Sequence, residues 1–353
     1  MSVRVAVSVR DHYSRSGSPS PSMPLEGPLL DRYGRVHEDL RISVTDRCNL
    51  RCVYCMPEQG MSFLRREELL TYDEIVRVAA VARDLGVSEL RITGGEPLLR
   101  KRLPALVARL SALGFHDLAM TTNAMALGPV AGSLAEAGLD RVNVSCDSLR
   151  PERFASIRRR GVLATVMSAM DAAETVGLVP LKVNVVLMRD WNDDEILDFA
   201  SFARTTGRTV RFIEFMPLDA QGQWQRTRVV PSREVLERIS ERWPLEAVPG
   251  ADPHAPVERY RFSDGQAEVG VISSVSSPFC GTCNRLRLTA DGALRNCLYA
   301  NDERNVRELM RRGGTDEDLS VMLRRVVWDK HPGHGINEPG FLSPQRSMSM
   351  IGG

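Results

Sequence analysis

Between residues 41 and 216 short β-branched runs alternate with amphipathic stretches. The strand candidates are 41–45, 89–93, 117–122, 141–147, 181–187 and 209–216. Between the first two, Ile75, Val78, Ala79, Ala82 and Leu85 recur at helical spacing, and 103–113 and 193–206 share that habit. Six strand-then-helix units predict an α/β fold with a parallel sheet. Their near-regular recurrence suits a partial (β/α)6 barrel of the TIM type at least as well as a doubly wound sheet.

Within the strand candidates polar residues take alternate positions: Arg41, Ser43 and Thr45; Arg91 and Thr93; Asn143, Ser145 and Asp147; Lys182 and Asn184. The other parity is apolar, with Ile42 and Val44, Leu90 and Ile92, Val142, Val144 and Cys146, Val183 and Val185. A filled barrel has a bulky, branched interior. A polar inward face instead predicts a wet lumen around a polar ligand. An edge strand of an antiparallel sheet would also show one polar face, but here four strands share the pattern. The strand ends carry the distinctive motifs: Cys48 follows the first, Gly94-Gly95-Glu96-Pro97 the second, Thr122-Asn123 closes the third and Ser145 to Asp147 the fourth. A barrel builds its active site at that end of its strands.

Residues 1–35, with the Ser- and Pro-rich run 14–24, offer little apolar surface against ordering entropy and are expected to be disordered or loosely attached. The barrel is expected over 36–250 and a C-terminal extension over 251–353. The 353 residues are 43% hydrophobic, enough for one large core or two smaller ones. The 46 basic and 45 acidic residues nearly cancel, so an anionic partner must be held by local arrangement. Val5 to Val9 is too short, and too broken by Arg4, Arg10 and Asp11, for a secretory core. No run of about eighteen apolar residues appears. The expectation is a cytoplasmic, reduced protein, which makes disulfides a poor reading of its cysteines.

Six of the seven cysteines fall into two incomplete sets. Cys48, Cys52 and Cys55 form a C-x3-C-x2-C run. Three thiolates can hold three corners of a cubane iron–sulfur cluster and leave the fourth iron open, whereas a structural zinc wants a fourth ligand close by. The nearest histidines are His37 upstream and His116 downstream. Cys280, Cys283 and Cys297 form the second set, which alone reads equally as a zinc ribbon or a cluster site. Cys146 reads as a small buried hydrophobe or a stray oxidisable thiol. His331 and His334 read as loop residues. There is no G-x4-G-K-[ST] run, so a nucleotide's phosphates would need side-chain cations, which Arg41, Arg91 and Lys182 supply on the inward parity. Arg285 and Arg287 share one face of a short strand beside Cys283. An arginine pair is ordinarily solvated surface, but this adjacency favours function.

The C-x3-C-x2-C run with Tyr54 before its last cysteine, followed by Gly94-Gly95-Glu96-Pro97, resembles the radical S-adenosylmethionine (SAM) enzymes. The runs 39–48, 91–97, 121–123, 182–186 and 211–217, Cys280-Gly281-Thr282-Cys283-Asn284-Arg285-Leu286-Arg287-Leu288 and the terminal Gly352-Gly353 narrow the likeness. Together they resemble the GTP 3′,8-cyclase family of molybdenum-cofactor biosynthesis. The resemblance implies two 4Fe–4S clusters, one on Cys48, Cys52 and Cys55 beside SAM, the other on Cys280, Cys283 and Cys297 beside guanine. It implies SAM contacts at Tyr54, Gly95, Ser145 and Met216. It implies GTP contacts at Arg41, Arg91, Thr122, Lys182, Asn184, Arg211, Arg285 and Arg287, and a Gly352-Gly353 tail that reaches the active site.

The implied reaction is abstraction of the 3′ hydrogen of GTP by a 5′-deoxyadenosyl radical, attack of C3′ on C8, and completion by one electron and one proton to 3′,8-cyclo-7,8-dihydro-GTP. The implied partners are GTP, SAM, an electron donor and the enzyme converting the product to cyclic pyranopterin monophosphate. Neither nucleic acid nor membrane is expected, and a homodimer is left open. Gly95 is expected to admit a ligand close to the backbone. Ala124 stands where the family often has Gly, so a positive φ there would be strained. Two competitors stand beside this reading: a peptide-modifying radical SAM enzyme, and a zinc-dependent nucleic-acid binder, which would show a basic face.

Overall fold

The computed structural model describes residues 22–219, 221–250 and 252–352. Six parallel strands form in chain order: β1 (Asp39–Ser43), β2 (Glu89–Thr93), β3 (Asp117–Thr122), β4 (Arg141–Ser145), β5 (Lys182–Leu187) and β6 (Thr209–Glu214). Each is followed by helix, as the periodicity predicts: Tyr72–Asp84 after β1, Leu103–Ser111 after β2, and Ile196–Thr206, entered through a 3-10 turn, after β5. Thr71 caps the first of these with a reciprocal Glu74 contact, which fixes where the helix begins. The apolar strand parity is fully buried against these helices and forms the main core, including Ile42, Leu90, Val142, Val144, Val183 and Val185.

The sheet continues on both sides. After β7 (Leu245–Ala247) and β8 (Glu258–Phe262), β9 (Glu268–Ile272) pairs parallel with β6; β10 (Arg285–Leu288) pairs parallel with β1 and is followed by β11 (Ala293–Arg295) and β12 (Arg304–Asn305). The order is β12-β11-β10-β1-β2-β3-β4-β5-β6-β9-β8-β7, an open partial barrel whose outermost pairs run antiparallel. Residues beyond 250 therefore extend the same sheet across both of its flanks. Among the described residues no helix is long and apolar enough to cross a membrane.

The N-terminal expectation needs correction. Residues 1–21 lie outside the described residues, but the chain is tied down well before residue 36. Leu29 is fully buried, and its amide donates to the Leu85 carbonyl. Arg35 pairs with Asp31 at 2.5 Å and donates to the carbonyls of Cys280, His331 and Pro332. The Ser/Pro-rich run stops at Pro24, and the apolar Leu29 beyond it repays ordering by burial.

Candidate functional site

The loop after β1 carries the first cysteine trio. It is pinned to the end of helix Pro151–Arg158 by Arg51 N–H to the Arg158 carbonyl and Val53 N–H to the Ile157 carbonyl. Cys55 N–H donates to the Cys52 carbonyl in a tight turn. Gly94 and Gly95 let this loop pass. A Cβ on Gly95 would lie 2.5 Å from the Arg47 carbonyl oxygen and 2.6 Å from that of Asp46, and one on Gly94 2.7 Å from that of Thr45. The close approach expected at Gly95 is thus made by the chain's own backbone, fastened by Gly95 N–H to Thr45 O and Glu96 N–H to Arg47 O, both 2.7 Å. Glu96 is wholly buried and accepts from Thr122 Oγ1, Asn123 N–H and Leu98 N–H; burial, opposed by those bonds, raises its pKa to about 7.

Around the trio lies a cavity of about 250 Å³ in the barrel mouth. Its wall brings together Cys48, Cys52, Cys55, Tyr54, Gly95, Ser145, Met216, Arg41, Arg91, Thr122, Asn184, Arg211, Arg285 and Arg287. The strand register explains the convergence, because Arg287 faces Arg41 across β10 and β1, and Arg41 faces Arg91 across β1 and β2. Like parity in parallel strands points all three to one face. Buried Nε atoms of Arg41 and Arg91 have no hydrogen-bond partner among the described residues. Burial, then Arg91 and Arg287, drives the Arg41 pKa well down against the pull of Asp39; burial, then Arg91 and Arg141, brings Arg211 to about 9. A guanidinium stays protonated under such pressure, so the cavity wall carries a concentration of positive charge that Asp39, 3.4 Å from Arg41, answers only in part.

Not every predicted residue reaches the cavity. Lys182, at the start of β5, stands off its wall, though burial and the field of Arg211, Arg141 and Arg91 lower its pKa to about 7. Thr122 lines the wall, but its hydroxyl hydrogen is committed to Glu96 at 2.7 Å. Gly352 packs beside the cavity at φ +90; a Cβ there would lie 2.5 Å from Thr93 Oγ1, and its carbonyl accepts from Arg287 Nη1 at 2.7 Å. Gly353 lies outside the described residues. Ala124 does take a positive φ of 61. Cys146 is fully buried, and burial raises its thiol to about 12, which keeps it protonated and unreactive.

The second trio stands on a 3-10 turn and on the segment after β11, facing an outer cleft of about 860 Å³. Burial raises the Cys280 thiol to about 12, helped by Cys297 and Cys283. At Cys283 burial also pushes upward, but Arg285 and Lys330 prevail and bring it to about 5. In the first trio, burial and then Cys52 and Cys48 raise Cys55. Each trio lines one wall, the first at the inner cavity and the second at the outer cleft, yet among the described residues no three His, Cys, Asp or Glu side chains converge on one ion position. A cubane takes each thiolate on a separate iron. The donor sets therefore fit clusters, with three soft sulfurs each and a cavity or cleft alongside. His334 stacks on Tyr299, with ring centroids 4.5 Å apart, and belongs to no such set.

A model of the radical SAM superfamily matches residues 42–203, and one described as Molybdenum Cofactor Synthesis C matches 208–336. A GTP 3′,8-cyclase of Mycobacterium sp. (strain KMS) is 46% identical over 339 residues, covering 95% of this chain and 96% of its own. One from Streptomyces coelicolor is 47% identical over 329 residues, covering 92% and 96%. This chain belongs to the GTP 3′,8-cyclase family. It is an enzyme of the radical SAM class, whose cofactors are SAM and 4Fe–4S clusters. In fold alone it is similar to Streptococcus suis SuiB, at TM-score 0.61 and 14% identity over 88% of this chain and 68% of that one.

Some side chains beside the first trio carry a motif and others do not. Arg158 is buried and reaches both Cys52 Sγ, at 3.5 Å, and the Asp147 carboxylate, at 2.8 Å; Tyr54 donates to the same carboxylate at 2.7 Å. Asn123 donates to Asn49 and lies 3.7 Å from Cys48 Sγ. Asp147 was visible as the last polar position of its strand. Arg158 was not, because it belongs to no motif and only the fold brings it to Cys52.

Proposed function

We propose that this chain converts GTP to 3′,8-cyclo-7,8-dihydro-GTP in the first step of molybdenum-cofactor biosynthesis, with Cys48, Cys52 and Cys55 holding the SAM cluster and Cys280, Cys283 and Cys297 the second. The observation that carries the reading is the row of converging arginines, Arg287, Arg41 and Arg91, answered among the described residues by the single carboxylate of Asp39, 3.4 Å from Arg41, on the wall that also holds Cys48, Cys52 and Cys55. Reductive cleavage of SAM at the first cluster supplies a 5′-deoxyadenosyl radical able to take the 3′ hydrogen.

The chain's own residues do the positioning. Arg41, Arg91, Arg211, Arg285 and Arg287 hold a triphosphate nucleotide by charge-assisted bonds, while Lys182 adds charge from behind the wall and Asn184 a free carbonyl oxygen. Tyr54, Gly95, Ser145 and Met216 line the part occupied by SAM. Thr122 acts through Glu96, whose carboxylate it orients. Gly352, whose carbonyl accepts from Arg287, packs beside the cavity and helps shield a radical from solvent. Loss of H3′, closure of C3′ onto C8, and gain of one electron and one proton leave a product isomeric with GTP.

An external one-electron donor and an enzyme consuming the cyclised nucleotide to give cyclic pyranopterin monophosphate are the partners this chemistry requires. We place the protein in the cytoplasm; assembly as a homodimer is compatible with this reading. The test is anaerobic incubation of reconstituted protein with SAM, reductant and GTP, followed by mass spectrometry and ultraviolet absorption. An isomer of GTP lacking purine absorption is expected; recovery of unchanged GTP alone refutes the proposal.

A further inference from the structure

Buried cations reach the middle sulfur of each cysteine trio, Arg158 at Cys52 and both Lys330 and Arg285 at Cys283, and Arg158 and Lys330 differ in what else holds them. Arg158 is paired with Asp147, so its charge is answered within the protein. Lys330 follows helix Asp316–Trp328 and is 3% exposed. Its Nζ lies 3.2 Å from Cys283 Sγ, and its other partners are neutral: His37 Nε2 at 2.9 Å and the carbonyls of Cys283 and Arg285 at 3.1 and 3.0 Å. Among the described residues no carboxylate contacts it. His37 is set to receive it, because Nδ1 lies 3.0 Å from the Arg35 carbonyl; that nitrogen carries the proton and leaves Nε2 as acceptor.

Composition sharpens the point. The chain has three lysines, Lys101, Lys182 and Lys330, and uses arginine for every other cation of this kind. A planar guanidinium could not address acceptors grouped around one nitrogen, whereas an ammonium can. A buried ammonium held only by neutral groups is costly, and the sulfur is the one partner that becomes anionic.

We propose that Lys330, oriented by His37, is the resident counter-cation of the iron–sulfur cluster on Cys280, Cys283 and Cys297, and that its N–H···S contact raises the reduction potential of that cluster. The proposal rests on the assignment of that cluster under the proposed function. A positive charge and a hydrogen bond at a ligand sulfur both favour the more negative, reduced form. Lys330 is a positioning residue: it lies off the wall of the inner cavity and approaches Cys283 from the outer cleft, whereas Arg285, at 3.4 Å from the same sulfur, lines the inner cavity.

The test is an EPR-monitored redox titration of the anaerobically reconstituted full chain, wild type against Lys330→Gln, which removes the charge. A parallel titration with Cys48→Ala, Cys52→Ala and Cys55→Ala combined identifies the wave of the second trio. Lys330→Gln is expected to move that wave to more negative potential, with each tenfold loss of reduced over oxidised cluster reading as about 59 mV, and to leave the other wave in place. An unmoved second wave overturns the proposal and leaves the cluster assignment standing. Absence of a second wave, and of iron in the triple variant, overturns the assignment itself. If Lys330→Gln does not fold, wild-type protein labelled with 15N at lysine Nζ decides by pulsed EPR. Nitrogen coupling to the reduced second cluster supports the contact, and its absence overturns it.

Discussion

The two cysteine trios are alike in count and opposite in surroundings. Cys48, Cys52 and Cys55 sit on the wall of the cavity in the barrel mouth, and the cation that reaches them is already neutralised by Asp147. Cys280, Cys283 and Cys297 face a wide outer cleft, with Lys330 and Arg285 left without a carboxylate contact among the described residues. Burial raises the thiols of Cys48 and Cys55, whereas Cys283 falls to about 5. Equal sets of thiols thus stand in unequal electrostatic surroundings, which under the proposed function would suit them to different tasks.

The largest expected break in this contrast comes from cysteine substitution. Cys52→Ala should abolish 5′-deoxyadenosine release and remove about half the iron, since one of two clusters loses a ligand. Cys283→Ala should lose the same share of iron yet keep a basal release that no longer responds to GTP. Iron analysis and chromatography of the adenosine product check both; identical behaviour of the two variants would erase the division of labour. Next, Arg158→Met leaves the Asp147 carboxylate buried and unpaired, which costs about 3–5 kcal/mol, read as a lower denaturation midpoint together with slower SAM cleavage.

Arg91→Met tests the cation row. It should weaken GTP binding about 10- to 100-fold, as expected for a hydrogen bond to a charged group, while raising the melting temperature of ligand-free protein by relieving repulsion at Arg41. Calorimetry and thermal denaturation separate the two effects. Lys182 supplies a pH handle. It is charged below about 7 and neutral above in the free protein, so GTP affinity should fall as pH rises past 7, by up to about tenfold per unit for one linked proton, and Lys182→Met should flatten the profile. Ligand-free stability should move the other way. The unfolded lysine keeps its proton up to its usual 10.5, so the unfolded chain holds the extra proton between about 7 and 10.5, and stability from this group rises with pH there. The smallest effect belongs to Ala124→Gly, which relieves the positive φ and should gain at most about 1 kcal/mol in chemical denaturation.

The six strands were legible because an apolar face against the helices and a polar face toward the lumen impose a period of two: the predicted bounds equal the observed ones at β2 and β3 and lie within two residues of them at β1, β4, β5 and β6. The arginine row was legible for the same reason, since residues of like parity in register cannot avoid one another. What stayed hidden depends on contacts far apart in sequence. That Gly95 also serves a backbone crossing with residues 46 and 47 was one such contact. The anchoring of Leu29 and Arg35 needed Leu85 and Cys280 to be known as neighbours. Lys330 and Arg158 carry no motif at all; only the fold brings them within reach of Cys283 and Cys52.

The most direct measurement gives anaerobically reconstituted protein SAM, a strong reductant and GTP bearing deuterium at C3′, and follows 5′-deoxyadenosine by mass spectrometry. Release that rises with GTP, with the deuterium carried into 5′-deoxyadenosine, is the predicted result. Release indifferent to GTP, or unlabelled, would contradict radical formation at C3′ and return the substrate to question.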